Sequence, residues 1–323
     1  MKILHVMNTH HPLPHAAKIM LGLQGLGFHQ STFLPHPMYK IPAFQKLRLR
    51  YRIWVAKPDI IHCWTAEGAQ LIASMQGGQQ RKKPVITGWF GTSADSDKFQ
   101  SCRQLVSASR HAAHRAQKAA PGTKVRFIPK APDISAQAPI DRVTLATTRD
   151  AKVMIVFVRS LRSRDIETLL AVLKELPQWV GWFVGTGVWR HELEMGARQQ
   201  GIIDRIRFLK RRQDRAALLR AADACVVPPR NDPFGTVTLE AWAAGTPVVV
   251  CGDAAGQIED CLNGLVVSSG DAKALGNALT SVEDKDLRRS LISRAYATYI
   301  KDYTQDSVLR QWAAFFKSCA GLS

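Results

Sequence analysis

No stretch of this sequence keeps about 18 apolar residues together, so no membrane-spanning helix is expected. The amino terminus, Met-Lys-Ile-Leu-His-Val, has neither the long apolar core nor the small-residue cleavage site of a secretion signal. It reads as a buried strand that begins at once. Cysteines are few: Cys63, Cys102, Cys225, Cys251, Cys261 and Cys319. None stands in a Cys-x-x-Cys pair, so neither a zinc site nor a disulfide framework is signalled, and a reducing cytoplasm is the expected compartment. Internal repeats and low-complexity tracts are absent. Acid is also scarce: 26 Asp and Glu stand against 44 Lys and Arg, a formal net charge of +18. The shortage is uneven. Residues 1–150 hold 21 basic against 7 acidic side chains, and residues 151–323 hold 23 against 19. A first half this basic is drawn to anionic surfaces. Nucleic acid, acidic lipid and an anionic substrate all qualify, and a solvated basic face is the plainer alternative.

The chain has 323 residues, 46% hydrophobic and 22% charged, which suits two globular domains of ordinary size. Short apolar runs alternate with helical patterns. In the first half, strands are expected at 3–7, 31–34, 59–62, 84–87, 104–107 and 125–128, with a helix over 14–26 that Gly25 and Gly27 end. Residues 129–150 are rich in Pro, Ala and Thr and read as a linker. The pattern restarts with strands at 153–158, 179–184, 206–209, 224–227 and 247–251. Helices are expected at 166–176, 191–200, 215–222, 237–244, 271–281, 287–299 and 307–317. This alternation implies two doubly wound α/β domains with parallel sheets. The expected division is 1–140, 150–300, and a terminal helical segment 301–323 returning towards the first domain.

Open parallel sheets bind ligands beyond the carboxyl ends of their strands. Four such loops in the second half carry suitable residues: Arg159, Arg162 and Arg164; Gly185-Thr186-Gly187; Lys210, Arg211 and Arg212; and Asn231-Asp232-Pro233-Phe234-Gly235-Thr236, which runs into the helix bearing Glu240. Cationic forks and a glycine-opened helix start suit phosphates, and nearby carboxylates suit sugar hydroxyls. Together they point to a nucleoside diphosphate sugar. Singly, each has a structural alternative. Arg159 could make a surface ion pair, Gly185-x-Gly187 could be a turn, and Asp232-Pro233 could be a helix cap.

The run from Asp232-Pro233-Phe234-Gly235 through Glu240 to Ala241-x-Ala243-x-Gly245-x-Pro247-Val248-Val249 resembles the signature of the family-4 retaining glycosyltransferases, which have the GT-B fold. Asp232 stands where the family usually has Glu. The preceding Ala222-Asp223 to Pro228, the following Gly256-x-x-Glu259 and Asn263-Gly264-x-Val266-Val267 extend the likeness. In the first half it is thinner: Pro58-Asp59-Ile60-Ile61-His62 and Ile128-Pro129 to Asp133. Pro14-His15-Ala16-Ala17 replaces the usual Gly-Gly pair, and Phe90 aligns with the family's histidine ahead of Gly91.

The resemblance implies two Rossmann-like domains facing a cleft, the first binding the acceptor and the second the donor. Arg159 and Arg164 would neutralise the diphosphate. Asp232 would contact the donor sugar, and Glu240 would hold the ribose hydroxyls. Phe234, Gly235, Thr236 and Val237 would present backbone amides, with Gly185 beside them. Leu209, Lys210 and Arg211 would lie beside the base. His15, Phe90 and Gly91 are candidates for the cleft. Transfer would proceed with retention and without a metal or other cofactor. Asp95-Ser96-Asp97 has the spacing of a metal-binding Asp-x-Asp but follows a polar loop in the first domain.

Residues 39–55 mix Tyr39, Phe44, Tyr51 and Trp54 with Lys40, Lys46, Arg48, Arg50 and Arg52. The segment suits a lipid headgroup layer, and its alternation at 46–53 fits a surface strand as well as a basic helix. The expected protein is a cytoplasmic glycosyltransferase of surface polysaccharide, such as lipopolysaccharide core. It would take an anionic lipid-linked or saccharide acceptor, at the inner face of the plasma membrane. Two rivals remain open: a transferase with a small soluble acceptor, and a basic nucleic-acid-binding protein on a degenerate transferase scaffold. No RNA-binding or helix-turn-helix signature favours the second.

Overall fold

The computed structural model describes the chain apart from residues 8–12, 35–41, 76–84, 91–98, 100, 120–121, 133, 135–136, 211, 233–234, 253–256 and 322–323. His10, His11, Tyr39, Lys40, Gly91, the Asp95–Asp97 spacing, Arg211 and Phe234 therefore lie outside the described residues. Two compact units divide the chain: Met1–Lys130 with Gln305–Ser323, and Ala131–Thr304. Among the described residues, no helix is long and apolar enough to cross a membrane.

The first unit holds six parallel strands: β1 (Lys2–Val6), β2 (His29–Phe33), β3 (Ile60–Cys63), β4 (Val85–Phe90), β5 (Gln104–Ser107) and β6 (Lys124–Phe127), in the order β2-β1-β3-β4-β5-β6. Its helices are α1 (Pro14–Gly25), α2 (Pro42–Ala56), α3 (Ala66–Ala73) and α4 (Arg110–Ala119). Proline at the start of α1 fits a position where no helical N–H partner is needed. Thr65 starts α3 by accepting the Gly68 amide at 3.2 Å. The segment left open between helix and strand is helix α2.

The second unit repeats the plan. Strands β7 (Lys152–Phe157), β8 (Trp179–Val184), β9 (Ile206–Leu209), β10 (Ala224–Val227), β11 (Val248–Cys251) and β12 (Leu265–Val267) run parallel in the order β12-β11-β10-β7-β8-β9. Helices α5 (Ser163–Glu175), α6 (Trp189–Gln199), α7 (Arg215–Ala221), α8 (Thr236–Ala244), α9 (Ala272–Ser281) and α10 (Lys285–Asp302) connect them. β8 and β10 are buried at every residue, as strands covered by helices on both faces must be. The division falls between Lys130 and Ala131, ahead of the 140–150 boundary expected from composition. The reason is local bonding. The Ile140 amide donates to the Ala217 carbonyl, and Arg142 reaches the Ala221 carbonyl and Asp223 at 2.8 Å each. Trp182 Nε1 donates to Thr147 Oγ1 at 3.0 Å.

The last helix, α11 (Gln305–Cys319), packs in the first unit over a knot of histidine and aromatic rings. His62 on β3 lies 5.3 Å from the Trp312 ring and 5.2 Å from that of Phe316, centroid to centroid. Trp64 Nε1 donates to His5 Nδ1 at 3.0 Å, so the His5 proton sits on Nε2 and goes to Gln30 Oε1 at 2.9 Å. Gln30 completes the chain by donating to the Met20 carbonyl at 2.7 Å. His62 Nδ1 meets Thr87 Oγ1 at 2.7 Å. Both imidazoles are fully buried.

Burial holds the His5 imidazole at about 4 against the ordinary 6.5, and it pushes His62 well below that value, helped by its histidine neighbours. The unfolded chain therefore takes up protons first as pH drops below 6.5. Stability that is fully present above that pH is lost on the way down towards 4. For His5 alone the span is on the order of 3 kcal/mol. The melting temperature should stay level from about pH 8 to 7 and fall between about pH 6.5 and 5, ahead of carboxylate titration. A flat profile across that window would contradict a neutral, buried pair.

Candidate functional site

Strand β7 leads to β8 and β9 on one side, and the chain then returns to β10, β11 and β12 on the other. The connections therefore reverse between β7 and β10, where an open α/β sheet leaves a crevice at the carboxyl ends of its strands. Arg159 lies just past β7, and residues 228–232 follow β10. Asn231 ties the two together. Its Oδ1 accepts the Arg159 amide at 3.0 Å and the Ser160 amide at 3.2 Å.

The next residue, Asp232, turns inward. Its Oδ2 accepts the Thr238 amide at 2.9 Å and the Thr238 hydroxyl at 3.1 Å, and the Thr236 and Val237 amides also bond it. The carboxylate thus caps α8 and is 3% exposed. Burial raises its pKa, and these amides oppose the rise. Gly235 has a φ of +69°, and a side chain there would run into Gln257. The structure therefore gives Asp232 a structural contact inside the loop, while Thr236 and Val237 are half-buried at the helix start.

Glu240 sits one turn into α8 and is paired. Arg215, at the start of α7, gives Glu240 Oε2 its Nε at 2.8 Å and its Nη2 in a shorter contact. The guanidinium also lies 4.0 Å from the centroid of the Phe157 ring, against the end of β7. Arg162 is similarly tied to Asp165 and Arg212 to Asp214. Arg159 and Arg164 differ. Both are exposed, and among the described residues neither guanidinium has a carboxylate partner. Arg164 lies against Gly270, whose φ of +78° and lack of a side chain leave room for it. Two cations without acidic partners flank the start of α5, as anion binding requires.

Gly185 and Leu209 stand side by side at the ends of β8 and β9, the Gly185 amide donating to the Leu209 carbonyl at 2.9 Å. A side chain at Gly185 would strike the Val158 carbonyl oxygen. Lys210 follows, exposed.

In the first unit, the structure corrects the place given to Phe90. Side chains alternate along β4, and Phe90 points into the core, 1% exposed, with its ring 6.4 Å from that of Phe99. Its neighbour Trp89 is the half-exposed one. The half-buried His15 lies 4.6 Å from Trp89, ring to ring, and Lys130 Nζ lies 5.1 Å from the Trp89 centroid. Burial, with Lys130 adding to it, holds His15 at about 4, so it is neutral near pH 7. Arg215, Trp89 and Lys130 escape sequence reasoning, and Asn231 is read there only as part of its loop. For Asn231 a signal existed, a small polar residue directly before the acid of the signature. Arg215 had none.

Removing one partner of a partly buried ion pair leaves the other without compensation. Arg215→Met and Glu240→Gln should each destabilise the second unit by about 1–3 kcal/mol. The double variant should lose clearly less than the sum, because the pair is one interaction. Additive losses in denaturant titrations would show that the two side chains are energetically independent.

Comparison with known proteins adds sequence and structural kinship to this geometry. Residues 141–298 match the family described as glycosyl transferases group 1. The lipopolysaccharide core biosynthesis glycosyltransferase LpsE of Rhizobium meliloti (strain 1021) is 27% identical over 265 residues, covering 81% of this chain and 76% of that protein. LpsD of the same strain, also a lipopolysaccharide core biosynthesis glycosyltransferase, is 29% identical over 158 residues, 48% of this chain and 46% of its own length. Among solved structures, Anabaena Alr3699/HepE in complex with UDP superposes with a TM-score of 0.76 at 19% identity, over 98% of this chain and 100% of that one. The shared architecture is the GT-B fold of two doubly wound α/β units. Residues 141–298 match the glycosyl transferases group 1, and glycosyltransferase is the activity that the chain's sequence similarities support.

Proposed function

We propose that this protein moves a sugar from a nucleoside diphosphate sugar to a lipid-linked or saccharide acceptor in the assembly of lipopolysaccharide core or a related surface polysaccharide. The names of its LpsE and LpsD relatives support the acceptor class, and UDP bound to the HepE structure makes a uridine donor the first to test. The observation that carries the reading is the pair Arg159 and Arg164, exposed at the switch point with no carboxylate partner among the described residues, while Arg162, Arg212 and Arg215 are paired. In the transfer, the acceptor hydroxyl oxygen bonds to the anomeric carbon and the carbon–oxygen bond to the diphosphate breaks. The hydroxyl proton leaves with a phosphate oxygen. Negative charge grows on the diphosphate, where the two guanidinium groups stabilise it. Glu240, oriented by Arg215, takes the ribose hydroxyls, and Gly185, Leu209 and Lys210 border the base. Gly235, Thr236 and Val237 approach the sugar with their backbone. The two arginines supply the positive charge that a metal would otherwise bring, so the reading includes metal-independent transfer; retention rests on the resemblance of the run from Asp232 to Val249 to the family-4 retaining glycosyltransferases.

The first unit takes the acceptor, and α2 holds it to the inner face of the plasma membrane. At 100° per residue, Phe44, Leu47, Tyr51, Trp54 and Val55 share one outward arc of α2, and Trp54 is 70% exposed. The opposite face carries the fully buried Leu49. Exposed Arg50 and Arg52 flank the apolar arc. An apolar stripe edged by arginines matches an acidic headgroup layer, each cation near the surface contributing about 1 kcal/mol.

Arg159→Ala should lower turnover of the accepted nucleotide sugar at least a hundredfold, about 3 kcal/mol, with an unchanged melting temperature. Wild-type turnover would make the arginine structural. Chelation with EDTA should leave wild-type turnover intact, and loss of activity restored by a divalent ion would remove metal independence. The protein should sediment with phosphatidylglycerol vesicles at low salt and release as salt rises. Trp54→Ser with Arg50→Glu and Arg52→Glu should abolish sedimentation without changing donor hydrolysis. Indifference to vesicles, with tight RNA binding near physiological salt, would favour a nucleic-acid role instead.

A further inference from the structure

Asn231 is 3% exposed, and only one end of its carboxamide is used within the protein. Oδ1 holds the Arg159 and Ser160 amides, 72 and 71 residues away in sequence. Those two N–H groups fix the orientation of the side chain, since a flipped amide would set donors against donors. Nδ2 is consequently a donor, and it is buried with no hydrogen-bond partner among the described residues. An unsatisfied buried donor is costly, and native structures keep one where something else completes it. Among the described residues of the same turn, Asp232 Oδ2 already accepts from Thr238, the Pro228 carbonyl from the Asn231 amide, and the Asp232 carbonyl from the Gly235 amide. An acceptor entering at the junction of the β7 and β10 loops would complete this donor.

We infer that Asn231 is a binding and positioning residue for the diphosphate of the donor: Oδ1 fixes the backbone from which Arg159 projects, and Nδ2 donates to a phosphoryl oxygen. The inference rests on the proposed transfer from a nucleoside diphosphate sugar and adds to it a neutral donor that no charge pattern reveals. It also accounts for one turn serving both sides of the switch point. Asn231 reaches back to the β7 loop, and the adjacent Asp232 reaches forward to the α8 amides.

The test uses calorimetry on the full chain with UDP, GDP and ADP and, by competition, the matching nucleosides. Asn231→Ala removes both contacts. Asn231→Asp keeps an acceptor for the two amides and removes the spare donor. For whichever diphosphate the wild type binds, both variants should bind at least tenfold more weakly, while nucleoside affinity stays within about twofold. The Asp variant should also keep the wild-type melting temperature. Wild-type diphosphate affinity in Asn231→Asp would overturn the assignment of Nδ2. Equal losses for diphosphate and nucleoside in Asn231→Ala would reduce the residue to a structural role and overturn it too. A wild-type protein that binds none of the three diphosphates would instead sink the donor reading itself.

Discussion

The pairing of β7 with β8 on one side and β10 on the other is the constraint on which the second unit depends. Because every strand is parallel, all carboxyl ends open on one edge. Because the connections reverse at β7, the loops after β7 and β10 diverge there and leave backbone groups uncovered. Glycine is required where the neighbouring loops come closest. Gly185 passes under the Val158 carbonyl, and Gly235 bends the chain into α8 beneath Gln257. The same geometry lets a single carboxamide, that of Asn231, span the gap.

Charge is distributed over this edge by pairing. Arg162, Arg212 and Arg215 each have a carboxylate, and the carboxylate of Asp232 is absorbed by the start of α8. Among the described residues, Arg159, Arg164, Lys210 and Arg230 are left exposed there. An anion entering here meets cations whose desolvation is not already offset by protein acids, so its binding is not opposed by the breaking of existing ion pairs. The first unit keeps its ionisable groups differently. His5 and His62 lie neutral in an aromatic packing that α11 closes, while its surplus of arginine and lysine stays outward, on α2 among others.

Much of the second unit was legible in sequence because its strands are buried on both faces. The unbroken apolar run after Lys152 and the stretches 179–184 and 224–227 leave little choice of conformation. Helix α2 was ambiguous for a physical reason. It has one apolar face on the sheet and another outside, so no single amphipathic stripe stands out. Helix α4 buries alanines, Ala112, Ala113 and Ala116, where a larger apolar pattern would have been needed to see it. At the site, the order Arg159, Gly185, Asp232, Glu240 could be read from motif spacing. The partnership of Glu240 with Arg215, 25 residues apart, could not, nor could the reach of Asn231. Whether Trp89 or Phe90 faces the core depends on strand parity against the helices, which a local motif does not encode.

On the proposed function, the β7–β10 switch point holds the diphosphate of a nucleotide donor. Amide hydrogen exchange, measured on the full protein with and without saturating UDP or whichever nucleoside diphosphate binds it, tests that claim most directly. Added protection should concentrate in two places: the turn from Val158 to Leu161, and the segment from Asn231 through Glu240. The core strands of the first unit should be little changed. Protection confined to the first unit, with both of those segments exchanging as in the free protein, would contradict it.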